Sequence, residues 1–404
     1  MTTTSPKTIG LCIFLFLASA LVTLSVRSSH VTKPLSLTSS LRLPGTNPFS
    51  PPTHPQNEPR VAFATFLAGD PDQDSTTNNS TDDESTDAQD GYFLGARVLA
   101  YALLHSPVTG TNASIPFLVL VTPDVSARKR ARLTLDGATV IPVPKIDSEW
   151  VHPAAPRWRD VMAKLRLWEL DAFTKICFVD ADTLVTRRLD GVFWDEATLA
   201  RPSLHNVEQI REDEDRLPRT YMLASHADYF GYDHAWPPDP TGGYLNCGFF
   251  VFQPDRRMFA YYMSLLKAPG TFPFYSFSLS SEDTFRLLST LRLFSATQTK
   301  LTVEVSSGKF DPSFPEQNLL NYAHRRDGNM PWQPLWYGWN VNWPTERDLR
   351  GGAASFHAKY WDDDPTHDPV LKAIWREQRA EMEGFWRGRE GGERRIGGGL
   401  GVGM

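Results

Sequence analysis

The chain has 404 residues, 41% apolar and 22% charged, a balance that allows one large globular domain or two small ones and excludes a chain too polar to bury a core. A net charge near −6 without a long basic run excludes nucleic acid as an expected partner. Three cysteines are too few for a disulfide-stapled framework: Cys12 lies in an apolar run and Cys177 in a strand-like segment, leaving only a Cys177–Cys247 bridge open.

In chain order, Ile9 to Val26 carries no charged residue and is about long enough to cross a thin bilayer as a helix. Lys7 before it and Arg27 and Lys33 after it specify orientation only weakly. Ala18-Ser19-Ala20 offers a cleavage site, yet the apolar run continues past Ala20. Residues 1–27 are therefore expected to be an uncleaved signal anchor, with cleavage and secretion as the alternative. Both put the bulk of the chain in a secretory lumen, in keeping with sequons at Asn78, Asn79 and Asn112. Residues 28–58, rich in Ser, Thr and Pro, read as a stem.

A catalytic domain over residues 59–388 follows. VAFATFLAG from Val61 has a strand's composition, and the acidic stretch 70–90 reads as a solvated loop. Helices are expected over 91–105, 126–135 and 160–170, and strands over 115–121, 139–143 and 175–179. This strand–helix alternation implies an α/β fold with a doubly wound sheet. LNCGFFVFQPD is strongly apolar, a helix is expected from Met258 to Leu266, and residues 366–387 form an amphipathic helix with Leu371, Ile374 and Trp375 on one face. The tail 389–404 is expected to be disordered.

KICFV ends directly in Asp180-Ala181-Asp182, and in open α/β sheets ligands bind beyond the carboxyl ends of the strands. Two aspartates separated by one residue at such an end can reach one hard divalent cation whose remaining positions stay free for phosphate oxygens. Asp-x-Asp alone is a weak signal; the string ICFVDADTLV is far more specific.

FVDADTLV resembles the metal-binding segment of the glycogenin-like glycosyltransferases, family 8. VAFATFLAG, GYFLGARVLAYAL, MAKLRLWEL, YLNCGFFVFQP, EQNLLN and FHAKYW resemble further segments of that family in its order, over roughly residues 60–362. The resemblance implies a GT-A fold, a mixed and mostly parallel sheet flanked by helices. It also implies Mn²⁺ bound by Asp180, Asp182 and His357, and a UDP-sugar donor whose uracil stacks on Tyr92. Lys164 matches a lysine near the donor phosphate and sugar. Thr65 lies in the opening strand that borders the donor, and Asn246 and Gly248 match the strand bordering the sugar. Glu316 and Gln317 match the family's Asp-Gln pair, one methylene longer at Glu316. Lys359 takes the place of a pyrophosphate-contacting lysine, but two residues after the histidine rather than six.

By this resemblance the reaction transfers a hexose with retention to a glycan, glycoprotein or lipid. It proceeds either through Glu316 as nucleophile or by acceptor attack on the leaving-group face. PEQNLLNYAHR and WNVNWP resemble fungal members, implying a type II Golgi membrane enzyme. A nucleotidyltransferase is disfavoured because no Gly-rich loop follows the first strand. The alternatives are an inactive sugar- or nucleotide-binding protein and a self-glucosylating primer. Residues 271–309 differ in texture from their flanks and read as a lineage-specific loop or a translated intron. Under the intron reading Ser281, Glu282 and Asp283 have no function.

Overall fold

The structure is a computed structural model that describes residues 60–69, 90–240, 242–267 and 309–397. The anchor, the stem, the acidic loop before Asp90 and residues 271–308 lie outside the described residues. Among the described residues no helix is long and apolar enough to cross a membrane.

The opening segment forms β1 (Val61–Leu67), followed by α1 (Gly91–Leu104), β2 (Phe117–Val121), α2 (Ala127–Leu135) and β3 (Thr139–Pro142). Each helix begins at a side-chain cap. Asp90 accepts from the Phe93 amide ahead of α1, and Ser126 accepts from Lys129 ahead of α2, satisfying amides that the first turn leaves without partners. After β4 (Lys175–Val179) and β5 (Thr183–Val185), a short antiparallel pair forms from β6 (Arg201–Pro202) and β7 (Thr220–Tyr221). Then come β8 (Leu223–Ala227), β9 (Leu245–Phe252), α3 (Arg256–Leu265), α4 (Pro315–Ala323), β10 (Gln333–Pro334), β11 (Val341–Asn342), α5 (Glu346–Gly351), β12 (Ser355–His357) and α6 (Pro369–Gly397).

Seven strands make one mixed sheet in the order β10-β8-β9-β4-β1-β2-β3. Its β4-β1-β2-β3 half is parallel, and β9 runs antiparallel to both β4 and β8. Every residue of β9 is buried, because alternate side chains enter two different cores. Phe250 and Phe252 join Trp168 and Tyr262 on one face, while Phe249 and Val251 join Phe63 and Phe193 on the other. A third cluster docks α6 on α1, where Leu371, Trp375, Met382 and Trp386 meet Leu94, Val98 and Tyr101. Ile374 packs at its edge, so the expected apolar face of α6 is present. The helix runs through Gly397, past the boundary at 388 expected from the Gly-rich tail.

One further expectation needs correction. Residues Val161–Glu169, expected as an α-helix, form a 3₁₀ stretch. With three residues per turn, side chains three apart fall in line, and Val161 and Lys164 both face the same cleft. The last residue of the segment 271–309 lies among the described residues. Lys309 is buried in the fold and pairs with Asp213 at 2.7 Å.

Candidate active site

Beyond Val179 the β4–β9 ladder continues by one bond, from the Asp180 amide to the Gly248 carbonyl at 2.8 Å. That bond fixes the turn holding Asp180 and Asp182. The chain re-enters as β5, and the β5–β12 register pairs Thr183 with His357, while the Ala358 amide donates to the Asp182 carbonyl at 2.9 Å. A second, three-stranded sheet of β11, β12 and β5 thus brings a distant histidine beside the two aspartates.

Asp180, Asp182 and His357 each offer one ligand atom, all within 4.8 Å of one another. His357 Nε2 lies 3.0 Å from Asp182 Oδ1 and 3.9 Å from Asp180 Oδ2. Despite that approach, the buried Asp182 Oδ1 accepts no hydrogen bond among the described residues. An unsatisfied carboxylate oxygen facing an imidazole nitrogen suits two ligands turned toward a common ion, and the O, O, N donor set fits a divalent metal.

Glycine is required where these parts meet. A Cβ on Gly248 would stand 2.0 Å from His357 Cε1, and one on Gly95 would stand 2.4 Å from the Ala181 carbonyl oxygen. The first lets the imidazole approach β9; the second lets α1 lie against the aspartate turn.

Lys164 bridges the cluster to α4, with its Nζ 2.9 Å from Asp180 Oδ1 and 3.0 Å from Glu316 Oε1. Burial would lower the Lys164 pKa, but the two carboxylates outweigh it and hold the ammonium above its ordinary value. Burial raises the Asp180 carboxyl, Lys164 opposes that and the Asp182 charge adds to it, for a net rise. At Asp182 burial is outweighed by His357 and by the lysines, so this carboxyl sits well below the usual range. His357 itself is pulled down by burial but pushed up further by Asp182.

These residues border a cleft of about 530 Å³, within the size range of small-molecule sites. Tyr92 lines it, 36% exposed, edge-on to Trp361 at 5.2 Å. Lys359 Nζ stands 5.9 Å from the Tyr92 ring centre and 3.7 Å from Asp182 Oδ2. Its short spacing after the histidine therefore still delivers it to the site. Glu316 and Gln317 line the cleft as expected, with Gln317 Oε1 accepting from the Cys247 amide at 3.0 Å.

Two sequence-predicted residues stand back from the cleft. The β1 lining begins at Phe66. Thr65, one residue earlier in the strand, is wholly buried with its hydroxyl unpartnered among the described residues. Asn246 likewise acts behind the surface: its Oδ1 accepts from the Gly248 amide at 2.8 Å and its Nδ2 donates to Asp228 Oδ2 at 3.1 Å. No disulfide joins Cys177 and Cys247, which are free and buried on opposite faces of the sheet.

Several lining residues were not anticipated. Asp228 faces the cleft and also accepts from Asn342 Nδ2 at 2.8 Å and Trp343 Nε1 at 3.2 Å. Arg157, Trp158, Phe314 and Trp361 complete the mouth. Only FHAKYW, which contains Trp361, carried a sequence signal.

No family model matches the chain. It is 26% identical over 329 residues to an uncharacterised Schizosaccharomyces pombe protein, covering 74% of this chain and 76% of the relative. It is 25% identical to Arabidopsis thaliana galactinol synthase 7 across 53% of this chain and 58% of the relative. To rabbit (Oryctolagus cuniculus) glycogenin-1 it is 27% identical across 45% and 44%. These likenesses support reading the chain as a glycogenin-like glycosyltransferase.

Proposed function

We propose that the protein is a retaining transferase that moves a hexose from a UDP-sugar to a hydroxyl of a glycan, glycoprotein or lipid, with Mn²⁺ held by Asp180, Asp182 and His357. The observation that carries this reading is the meeting of the three ligand atoms within 4.8 Å, beside a buried lysine, at the end of a central strand. A divalent ion bound there supplies neutralisation of the charge that builds on the departing diphosphate.

The chain's own groups do the remaining work by position. Tyr92 offers a ring face for the uracil. Lys359 stands beside Asp182, where a pyrophosphate oxygen would meet its ammonium. Lys164 adds a fixed positive charge where negative charge develops, and needs no reorganisation because Asp180 and Glu316 already hold it. With Glu316 Oε1 engaged by Lys164 at 3.0 Å, its carboxylate orients the lysine. That supports acceptor attack on the leaving-group face over a glycosyl–Glu316 intermediate.

UDP-sugar hydrolysis and transfer, assayed with and without Mn²⁺, test the reading. Asp182→Ala is expected to reduce both by about 10²-fold or more and to abolish Mn²⁺-dependent thermal stabilisation; wild-type turnover indifferent to chelator overturns it.

We further assign the enzyme to the Golgi membrane as a type II protein. The uncharged run at residues 9–26 and the Ser/Thr/Pro-rich stretch behind it support that assignment. Protease protection of the catalytic domain in intact microsomes is the expected result, and a cytosolic domain sinks it.

A further inference from the structure

The cleft has an aromatic wall that neither the metal cluster nor the Tyr92–Lys359 side accounts for. Trp158 and Phe314 both line it, with ring centres 4.9 Å apart and planes tilted by 46°. Phe314 is 46% exposed and Trp158 is partly exposed. Among the described residues the Trp158 indole Nε1 donates to no protein acceptor; Trp158 bonds through its backbone to the Ala155 carbonyl and meets the Phe314 ring and Arg157. A polar handle left on a partly wet aromatic is a hydrogen-bond donor ready for a ligand.

The wall is held in place. The Ala154 amide donates to the Ser313 carbonyl at 3.0 Å, and Trp150 lies 4.8 Å from Phe310. The segment carrying Trp158 is therefore tied at two points to the segment carrying Phe314. Asp311 braces the second segment further by accepting from the Ser313 amide and hydroxyl at 2.9 and 2.7 Å. Rings fixed this way lose little conformational freedom when a ligand docks.

Its location selects the occupant. Phe314 lies two residues before Glu316, and Trp158 precedes the 3₁₀ stretch that presents Lys164. Arg157 packs 4.8 Å from the Trp158 ring, and its charge is felt at both Tyr92 and Lys359. The wall thus adjoins the buried charged groups while opening to solvent. An aromatic face with polar donors at its rim suits a pyranose, whose C–H face packs on a ring while its hydroxyls bond outward. A flexible peptide hydroxyl offers no such face.

We infer that Trp158 and Phe314 form the acceptor subsite, and that the acceptor is a carbohydrate whose terminal pyranose stacks on Phe314 and Trp158. This rests on the sugar-transfer reading above and adds the acceptor class to it.

The test uses the full-length protein in detergent with Mn²⁺ and the UDP-sugar that it hydrolyses, and a panel of p-nitrophenyl glycosides and short oligosaccharides as acceptors. At least one glycoside is expected to be elongated. Phe314→Ala and Trp158→Ala are each expected to raise the KM for that glycoside tenfold or more, about 1.4 kcal/mol, while the KM for the donor moves less than twofold. Phe314→Tyr, which keeps the ring, is expected to restore the acceptor KM. Two outcomes overturn the proposal: donor turnover with no glycoside accepted, or an accepted glycoside whose KM neither alanine variant shifts. If wild-type protein hydrolyses no UDP-sugar in Mn²⁺, the reaction itself is misassigned, a result separate from either.

Discussion

At the scale of single residues the decisive contact is that of Gly248 with His357. Since a Cβ there would lie 2.0 Å from the imidazole, Gly248→Ala is expected to displace the ring and weaken Mn²⁺ binding by about 10- to 100-fold. The measurement is a Mn²⁺ titration followed by thermal shift, and an unaltered midpoint refutes the packing argument. The candidate ligands Asp180, Asp182 and His357, and with them Lys164, Glu316 and Tyr92, were picked out before any coordinates because each falls in a segment whose string resembles the family's, and all six line the one cleft. Thr65 and Asn246 lie in equally recognisable segments, yet which way a strand residue faces depends on the neighbouring layers. Asp228 follows a strand, Trp158 ends a single 3₁₀ turn and Phe314 directly precedes α4; none lies in a periodic run, so their convergence on the cleft came from folding alone.

At the scale of elements the strands were read well, since continuous apolar runs bounded by polar residues mark strands buried on both faces. The 3₁₀ stretch at 161–169 was not, because apolar spacing of three and four fits either helix. Two buried histidines give the elements a pH dependence. Burial pushes His226 on β8 down to about 3 and His324, just after α4, down to about 4. In the unfolded chain both return to about 6.5, so below that pH the unfolded state binds more protons and stability falls as pH drops. From pH 7 to pH 5 each is expected to cost about 2 kcal/mol. His226→Leu should therefore remove about half of the loss contributed by the pair, read from urea midpoints at pH 7 and 5. His357, raised beside Asp182, acts in the opposite direction but is common to both chains. An identical pH slope in parent and variant rules His226 out as a source.

For the molecule as a whole, the ends that flank residues 268–308 meet at one place. Trp150 donates to the Leu266 carbonyl at 3.0 Å and also lies 4.8 Å, ring centre to ring centre, from Phe310, and Lys309 reaches the Ser264 carbonyl at 3.5 Å. Replacing 268–308 with a Gly/Ser linker of about six residues, each spanning up to about 3.5 Å, is expected to leave donor turnover within about twofold. The melting temperature should stay level or rise, since each halving of a loop removes about 0.6 kcal/mol of closure entropy. Loss of folding on that replacement refutes it. Sequencing the spliced transcript decides whether these codons belong to the mature message at all.

The amino-acid sequence by itself determined the α/β class, the order of the strands along the chain and the identity of the metal-ligand candidates. Those depend on local apolar runs and on short strings of residues. The tertiary structure decided that β9 runs against β4, that His357 pairs in register beside Thr183, and that Trp158 meets Phe314 on one wall of the cleft. Such pairings join segments far apart in the chain, and their energy comes from packing and hydrogen bonds that no local window contains.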